Sequence, residues 1–262
     1  MNLFGRLNPI GLVAALLLAV GMPTLGSVAR TDSFEAPLKR RVVDFGPSPY
    51  SEGKRVRVKL SCYFYASFMV KEYDTGQEGA EWLAIVPTKK EVAPACARSH
   101  APGERIIEGA EWSGYFKGAK GNLVFFDADD GANGGLQFVV YDSRTGTKIF
   151  EDSAYDSRMG NRKVENLHFH RLRGSSTQGG QLSLRYLRVV EADCDLHREK
   201  ASCWEQVRNK FELKSVEMPV CSGYKGISTR VVSAVAYPVE VFLFPRPAIK
   251  TFAGPVRCWP VD

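Results

Sequence analysis

Four oxygen-bearing side chains crowd one stretch of this chain. Asp127, Asp129, Asp130 and Asn133 fall close together, interleaved with Gly131, Gly134 and Gly135. Calcium takes about six to eight oxygen ligands in a flexible shell, and an aspartate-rich turn with glycines can fold around such an ion. The spacing departs from the EF-hand loop, because Gly131 comes early and no glutamate closes the loop. The other reading of Asp127–Gly135 is a turn whose aspartates bond their own backbone.

A second pair is His168 and His170. On a strand, residues two apart point the same way, so two imidazoles could offer nitrogen to zinc, copper or iron. Glu165, His197 and Asp193 are the nearest choices for a third ligand, and the alternative is two ordinary histidines on a half-exposed strand. Nucleophilic catalysis finds no Gly-x-Ser-x-Gly elbow, no His-Glu-x-x-His and no phosphate-cradling loop. Glycoside hydrolysis needs only two carboxylates that can lie far apart in sequence, and Glu108, Glu111 and Asp127 are available for it. Tyr63, Tyr65, Trp112 and Tyr115 lie near strand edges. Exposed aromatics on a sheet hold sugar rings or apolar ligands; the competing reading is ordinary core packing.

These residues need elements to position them. Gly121–Tyr155 reads as an antiparallel meander: apolar and β-branched runs at Leu123–Phe126, Leu136–Tyr141 and Lys148–Phe150, parted by the Asp127–Gly135 and Asp142–Gly146 turns. Lys54–Tyr65 alternates cleanly, with Val56, Val58, Leu60, Cys62 and Phe64 on one face and Arg55, Arg57, Lys59, Ser61 and Tyr63 on the other. Trp82–Val86, Ile106–Glu108, Trp112–Phe116, Lys163–Arg173 and Gln181–Val190 add strands. Arg230–Phe244 reads as a long central strand bent at Pro238. Ser202 and Glu205 fit a capping box, and Trp204, Val207 and Phe211 follow at helical spacing.

Met1–Ala29 has one early arginine, an apolar run from Ile10 to Gly21 and small residues before Arg30, the layout of a secretory signal peptide. The run is shorter than the ~20 residues a bilayer requires, so no stable membrane span is expected once it is removed. All six cysteines lie beyond it: Cys62, Cys96, Cys194, Cys203, Cys221 and Cys258. An even number in an exported chain implies disulfides, and contiguity suggests Cys62–Cys96, Cys194–Cys203 and Cys221–Cys258 among the pairings open to them. The 35 Lys and Arg, less Arg6, stand against 29 Asp and Glu and leave the mature chain at +5. Part of that charge sits at Lys39, Arg40, Arg41, Arg55, Arg57 and Lys59. Aromatics are not interleaved with these cations, which argues against nucleic acid.

The expected fold is therefore one disulfide-stabilised all-β domain over residues 30–262. It is an antiparallel β-sandwich or distorted barrel of roughly ten to twelve strands with one short helix near 203–213. The expected role is an exported protein, periplasmic or secreted, that binds or supports something in the cell envelope: a glycan, a lipid or another envelope protein. Two alternatives stand beside it. One is a hydrolase acting on polysaccharide; the other is a metal-binding protein that uses His168 and His170, or calcium at the aspartates.

Overall fold

Alternation builds the first sheet. In β2 (Arg57–Phe64) Val58, Leu60 and Cys62 are buried while Arg57 and Lys59 are exposed. The computed structural model describes residues 34–50, 56–88, 94–155, 168–171 and 182–261. The expected leader, residues 1–29, lies outside them, as does the loop 174–180. On one side β2 pairs with β1 (Lys39–Pro47); on the other it meets β3 (Phe68–Asp74), then β4 (Trp82–Pro87) and β5 (Arg105–Glu108), all antiparallel.

The second sheet is larger. It holds β6 (Gly114–Lys120), β7 (Leu123–Ala132), β8 (Gly135–Asp142), β9 (Thr147–Tyr155), β10 (His168–Arg171), β11 (Leu182–Glu191), β12 (Ser233–Phe242), β13 (Ala248–Thr251) and β14 (Arg257–Pro260). The main path runs β13-β12-β11-β9-β8-β7-β6, with β10 beside β11 and β14 beside β12. Neither sheet closes on itself, so the architecture is a sandwich and not a barrel. No described helix is long and apolar enough to cross a membrane.

Both faces of β7 and β8 are covered. Val124, Phe126, Val139 and Tyr141 pack against Phe68, Val70, Leu83 and Ile85 of the first sheet. Phe125, Phe138 and Val140 face the other way, toward Phe150, Tyr186, Tyr237 and Val239. Each such side chain contributes about 1.5–3 kcal/mol by leaving water. A third cluster, with Leu60, Met69, Tyr73 and Trp82, lies on the far face of the first sheet. The segment 94–104 is fastened there by Cys62–Cys96 and by a buried ion pair. Lys71 Nζ donates to Glu104 Oε2 at 3.0 Å and to the Ser99 carbonyl at 3.0 Å.

The meander differs from its sequence reading at the first turn. Asp127–Ala132 is not turn but the continuation of β7, carried past a register shift between Asp127 and Gly131. The turn itself is Asn133-Gly134, with φ of 54° and 76°. Positive φ at both central residues is the type I′ geometry that matches strand twist, and Asn-Gly is its preferred pair. Trp259 of β14 locks this tip: its Nε1 donates to the Asn133 carbonyl at 2.8 Å, and its ring leaves no room for a Cβ at Gly134.

Two helices lie between β11 and β12, α1 (Leu196–Glu199) and α2 (Ala201–Lys210). The expected helix is α2, but Ser202 is not its cap; Ser202 Oγ donates to the Glu199 carbonyl. The side-chain cap belongs to α1, where Asp195 accepts from Arg198 N and Glu199 accepts from Asp195 N. Trp204 and Val207 bury the inner face of α2. In β12, Pro238 lacks an N–H to share. It falls where β14, paired with Ser233–Ala236, has ended and β13, paired with Val239–Phe242, has not begun. The strand therefore crosses the sheet without a broken ladder bond there.

All three disulfides, Cys62–Cys96, Cys194–Cys203 and Cys221–Cys258, are those that contiguity suggests, and no described cysteine is free. They fit an oxidising environment. The Cys62–Cys96 bridge closes a loop of 34 residues. Replacing both cysteines by alanine is expected to lower stability by about 3–4 kcal/mol. The urea midpoint checks this, and a midpoint unchanged from the parent protein would contradict it.

Candidate functional site

The four residues of the aspartate stretch are held by separate partners. Asp127 accepts from Lys117 Nζ at 2.5 Å. Asp129 accepts from Ser113 Oγ at 3.0 Å and from Asp130 N at 3.0 Å, while Asp130 accepts from Gly131 N at 2.7 Å. The Asn133 amide donates to Glu191. Among the described residues, no three His, Cys, Asp or Glu side chains converge as metal ligands. Two of these bonds, to Asp129 from Asp130 N and to Asp130 from Gly131 N, are local backbone bonds of the self-satisfied reading, and the other three join side chains distant in sequence.

The bulge in β7 nevertheless opens a cleft of 390 Å³ beside Glu111, Trp112, Asp129, Asp130, Gln137 and Glu151. Beside it β6 and β7 approach closely, since a Cβ on Gly114 would come within 1.9 Å of the Asp127 carbonyl. Glu111 is fixed by Arg105 Nη2 at 2.5 and 2.6 Å and by the Tyr141 hydroxyl at 2.8 Å. Partial burial works against its charge, but the bonds from Tyr141 and Arg105 prevail and hold the carboxyl below its ordinary range. Glu111 is thus an anchored carboxylate, the wrong form for a general acid.

The four aromatics lie in or beside the packing between the sheets. Tyr65, 8% exposed, stacks on Phe68 at 4.8 Å, and Trp112, 7% exposed, donates its Nε1 to the Asp127 carbonyl at 3.4 Å. Tyr63 was expected on the wet side of β2. It is half-buried, 4.5 Å from Phe116, with the Arg40 guanidinium 5.2 Å from its ring centre. That side of β2 faces the second sheet at this end, which the alternation alone does not reveal. Tyr115 is half-buried, and its hydroxyl accepts from Gly79 N at 3.1 Å. His168 and His170 stand opposite Arg185 and Ser183 in the register of β10 with β11. Glu165, the third-ligand choice nearest them, lies outside the described residues.

A different site comes from residues that sequence reasoning did not join. Arg188 from β11, Lys210 and Phe211 at the end of α2, Glu212 and Lys214 beyond it, Tyr237 from β12, and Ile249, Lys250 and Thr251 from β13 line a pocket of 330 Å³. The loop after α2 is tied to β13 by the Thr251 hydroxyl, which donates to the Glu212 carbonyl at 2.7 Å. Arg188 is the fixed charge. Its Nε donates to Asp152 at 2.9 Å and its Nη1 to the Tyr237 hydroxyl at 3.4 Å. Burial opposes that charge, but Asp152 outweighs it, so the guanidinium holds its proton more firmly than usual.

Lys210 pairs with Asp193 at 2.6 Å. Lys214 and Lys250 are exposed and form no ion pair among the described residues. Phe211, Tyr237 and Ile249 supply apolar surface between the cations. The volume is at the small end for a ligand pocket, enough for one compact group. An anion with some apolar body fits this arrangement. The sequence signal was faint: Lys210 and Lys214 flank Phe211 at the helix end, but Lys250 joins them only through the pairing of β13.

Comparison with known proteins finds no matching family model, no matching curated protein and no matching solved structure.

Two predictions follow from these placements. Calcium at ~100 times its dissociation constant would raise the melting temperature by roughly 5–10 °C in a domain of this size. With the aspartates bonded as they are, the melt in excess calcium is expected to coincide with the melt in EDTA. The second concerns Tyr65, whose phenol is pushed up to about 12 by burial and then by Glu35. A raised phenol stabilises the fold fully below pH ~10 and loses that contribution as pH climbs toward ~12. Tyr65→Phe should therefore lose less stability than the parent between pH 8 and pH ~11, read from urea midpoints; parallel losses would count against it.

Proposed function

We propose that this chain is an exported, disulfide-stabilised binding protein of the cell envelope, and that it holds an anionic ligand in the pocket between α2 and β13. The observation that carries this reading is the charge arrangement there. Arg188 is braced by Asp152 and Tyr237, while Lys214 and Lys250 form no ion pair among the described residues and share the rim with one acid, Glu212. A preorganised donor costs little ordering on binding, and exposed ammonium groups not held in ion pairs can turn toward an anion in the pocket. The three disulfides support a place in an oxidising compartment.

A hydrolase acting on polysaccharide would have the acidic cleft at the β7 bulge as its place. There Glu111 is anchored to Arg105 and Tyr141, and this leaves binding the better supported of the two.

Titration calorimetry with glycerol phosphate tests the binding reading. The parent protein should bind, more weakly as salt rises. Changing Lys214→Glu and Lys250→Glu together should weaken binding about tenfold or more, with the urea midpoint unchanged because both side chains are exposed. Equal affinity in parent and variant would place the anion elsewhere, and no heat with the parent would remove the reading.

A further inference from the structure

The longest open sheet edge among the described residues belongs to β1. It ends the five-stranded sheet, and no described strand pairs its outer side. The strands at the other sheet ends are shorter or already met. β5 and β13 have four residues each, and Glu35 meets the outer side of β6 at Ala119. β1 has nine residues, all exposed but Val43 and Gly46. Such an edge presents a row of backbone N–H and C=O groups to which another extended chain can pair.

The side chains along this edge favour one kind of partner. Lys39, Arg40 and Arg41 are consecutive, and none is in an ion pair among the described residues. Opposite them in β2 stand Phe64, Tyr63 and Cys62. Arg98, 5.7 Å from the ring centre of Phe45, adds a fourth cation. Asp44 is held by Arg57 at 2.5 Å, and Asp74 stands opposite Lys59. Two acids nearby have no cationic partner of their own: Glu35, which accepts from Gly121 N, and Glu72, which accepts from Phe116 N. Counting both in full, four cations stand against two acids, and the edge keeps a net positive charge. The cations also straddle it. Arg40 lies on the face of Tyr63, 5.2 Å from that ring centre, and alternation puts Lys39 and Arg41 on the other face. Leu38, 77% exposed, and Val42, 47% exposed, share the face of Arg40.

We infer that β1 pairs with an extended acidic segment of another protein, which adds a strand to this sheet along residues 38–44. Backbone bonds to the edge supply the attachment, and side chains supply the selection. Cross-strand neighbours lie about 4.5–5.5 Å apart, so consecutive acids in the added strand reach Lys39, Arg40 and Arg41 on both faces. Apolar residues beside those acids cover Leu38 and Val42. The register shift between Asp44 and Gly46 ends the pairing. A second copy of this chain is a poorer occupant, since it brings three cations of its own to the contact. Charge on an edge wards off unselective pairing. Here the same charge admits a strand that neutralises it. The inference is independent of the pocket beside β13.

Fluorescence anisotropy tests this with a labelled peptide, rich in valine and threonine, that carries three consecutive glutamates. The parent protein should bind it, and should bind the same peptide with lysines for glutamates about tenfold more weakly or worse. A form N-methylated along its backbone keeps the charges but loses the ladder donors, and its binding should fall by a similar factor. Changing Lys39→Glu and Arg41→Glu together should weaken binding about tenfold or more, with the urea midpoint unchanged because both side chains are exposed. No binding of the glutamate peptide would overturn the inference and leave the cations as edge protection. Equal binding of the N-methylated form would overturn it in favour of charge alone. Equal affinity in parent and variant would place the peptide elsewhere and overturn it too.

Discussion

Two-sided burial of β7 and β8 is the constraint on which the rest of the molecule depends. Phe125 and Phe126 are adjacent, fully buried, and belong to different cores. In a strand with one wet face, a slip of one residue would drive apolar side chains into water, and that penalty fixes the register. Here both faces are apolar, so the penalty is weak. The register must come from the connections. Asn133-Gly134 sets the register of β7 with β8, the Asp142–Gly146 turn sets that of β8 with β9, and the shift between Asp127 and Gly131 accommodates the extra residues of β7. The Asn133-Gly134 turn and the bulge between Asp127 and Gly131 thus help hold two apolar strands in step.

This explains what could be read in advance. The alternation of Val58, Leu60 and Cys62 was legible because the other side of β2 is wet at Arg57 and Lys59. The disulfides were legible because each joins neighbours along the chain. Strand β3 was not, because Lys71 and Glu72 interrupt its apolar run. Lys71 is nevertheless fully buried, with Glu104 and the Ser99 carbonyl as its partners. A charge in mid-strand reads as surface unless the distant partner is known. The extent of β7 is hidden for a related reason: aspartates and glycines mark turns locally, but the strand bulges instead and turns only at Asn133-Gly134. The basic pocket was least legible, since Arg188, Lys214 and Lys250 come together only through sheet pairing.

The charged groups divide into two kinds. Lys71 with Glu104 is enclosed, and removing one partner of that pair leaves the other uncompensated, a change of about 3–5 kcal/mol, while Arg188 with Asp152 is only partly buried. These pairs position segments: the first fastens the 94–104 loop and the second braces a guanidinium. Lys214 and Lys250 fasten nothing among the described residues. That contrast separates charge that holds the fold from charge that is available to a ligand.

The order of pairing around β12 bears on how this sheet can be completed. One edge of β12 meets β11, and its other edge is shared between β13 and β14. A chain emerging from its N-terminus therefore exposes half the backbone of its most buried strand until residues 248–260 are present. Cys221 likewise waits for Cys258. Residues far apart in time of synthesis must meet before the larger core can shut, so its closure is a late, long-range event that follows the local hairpins. Until then the uncovered edge of β12 is a site where another extended chain could pair, which makes this segment the one most dependent on protection during folding.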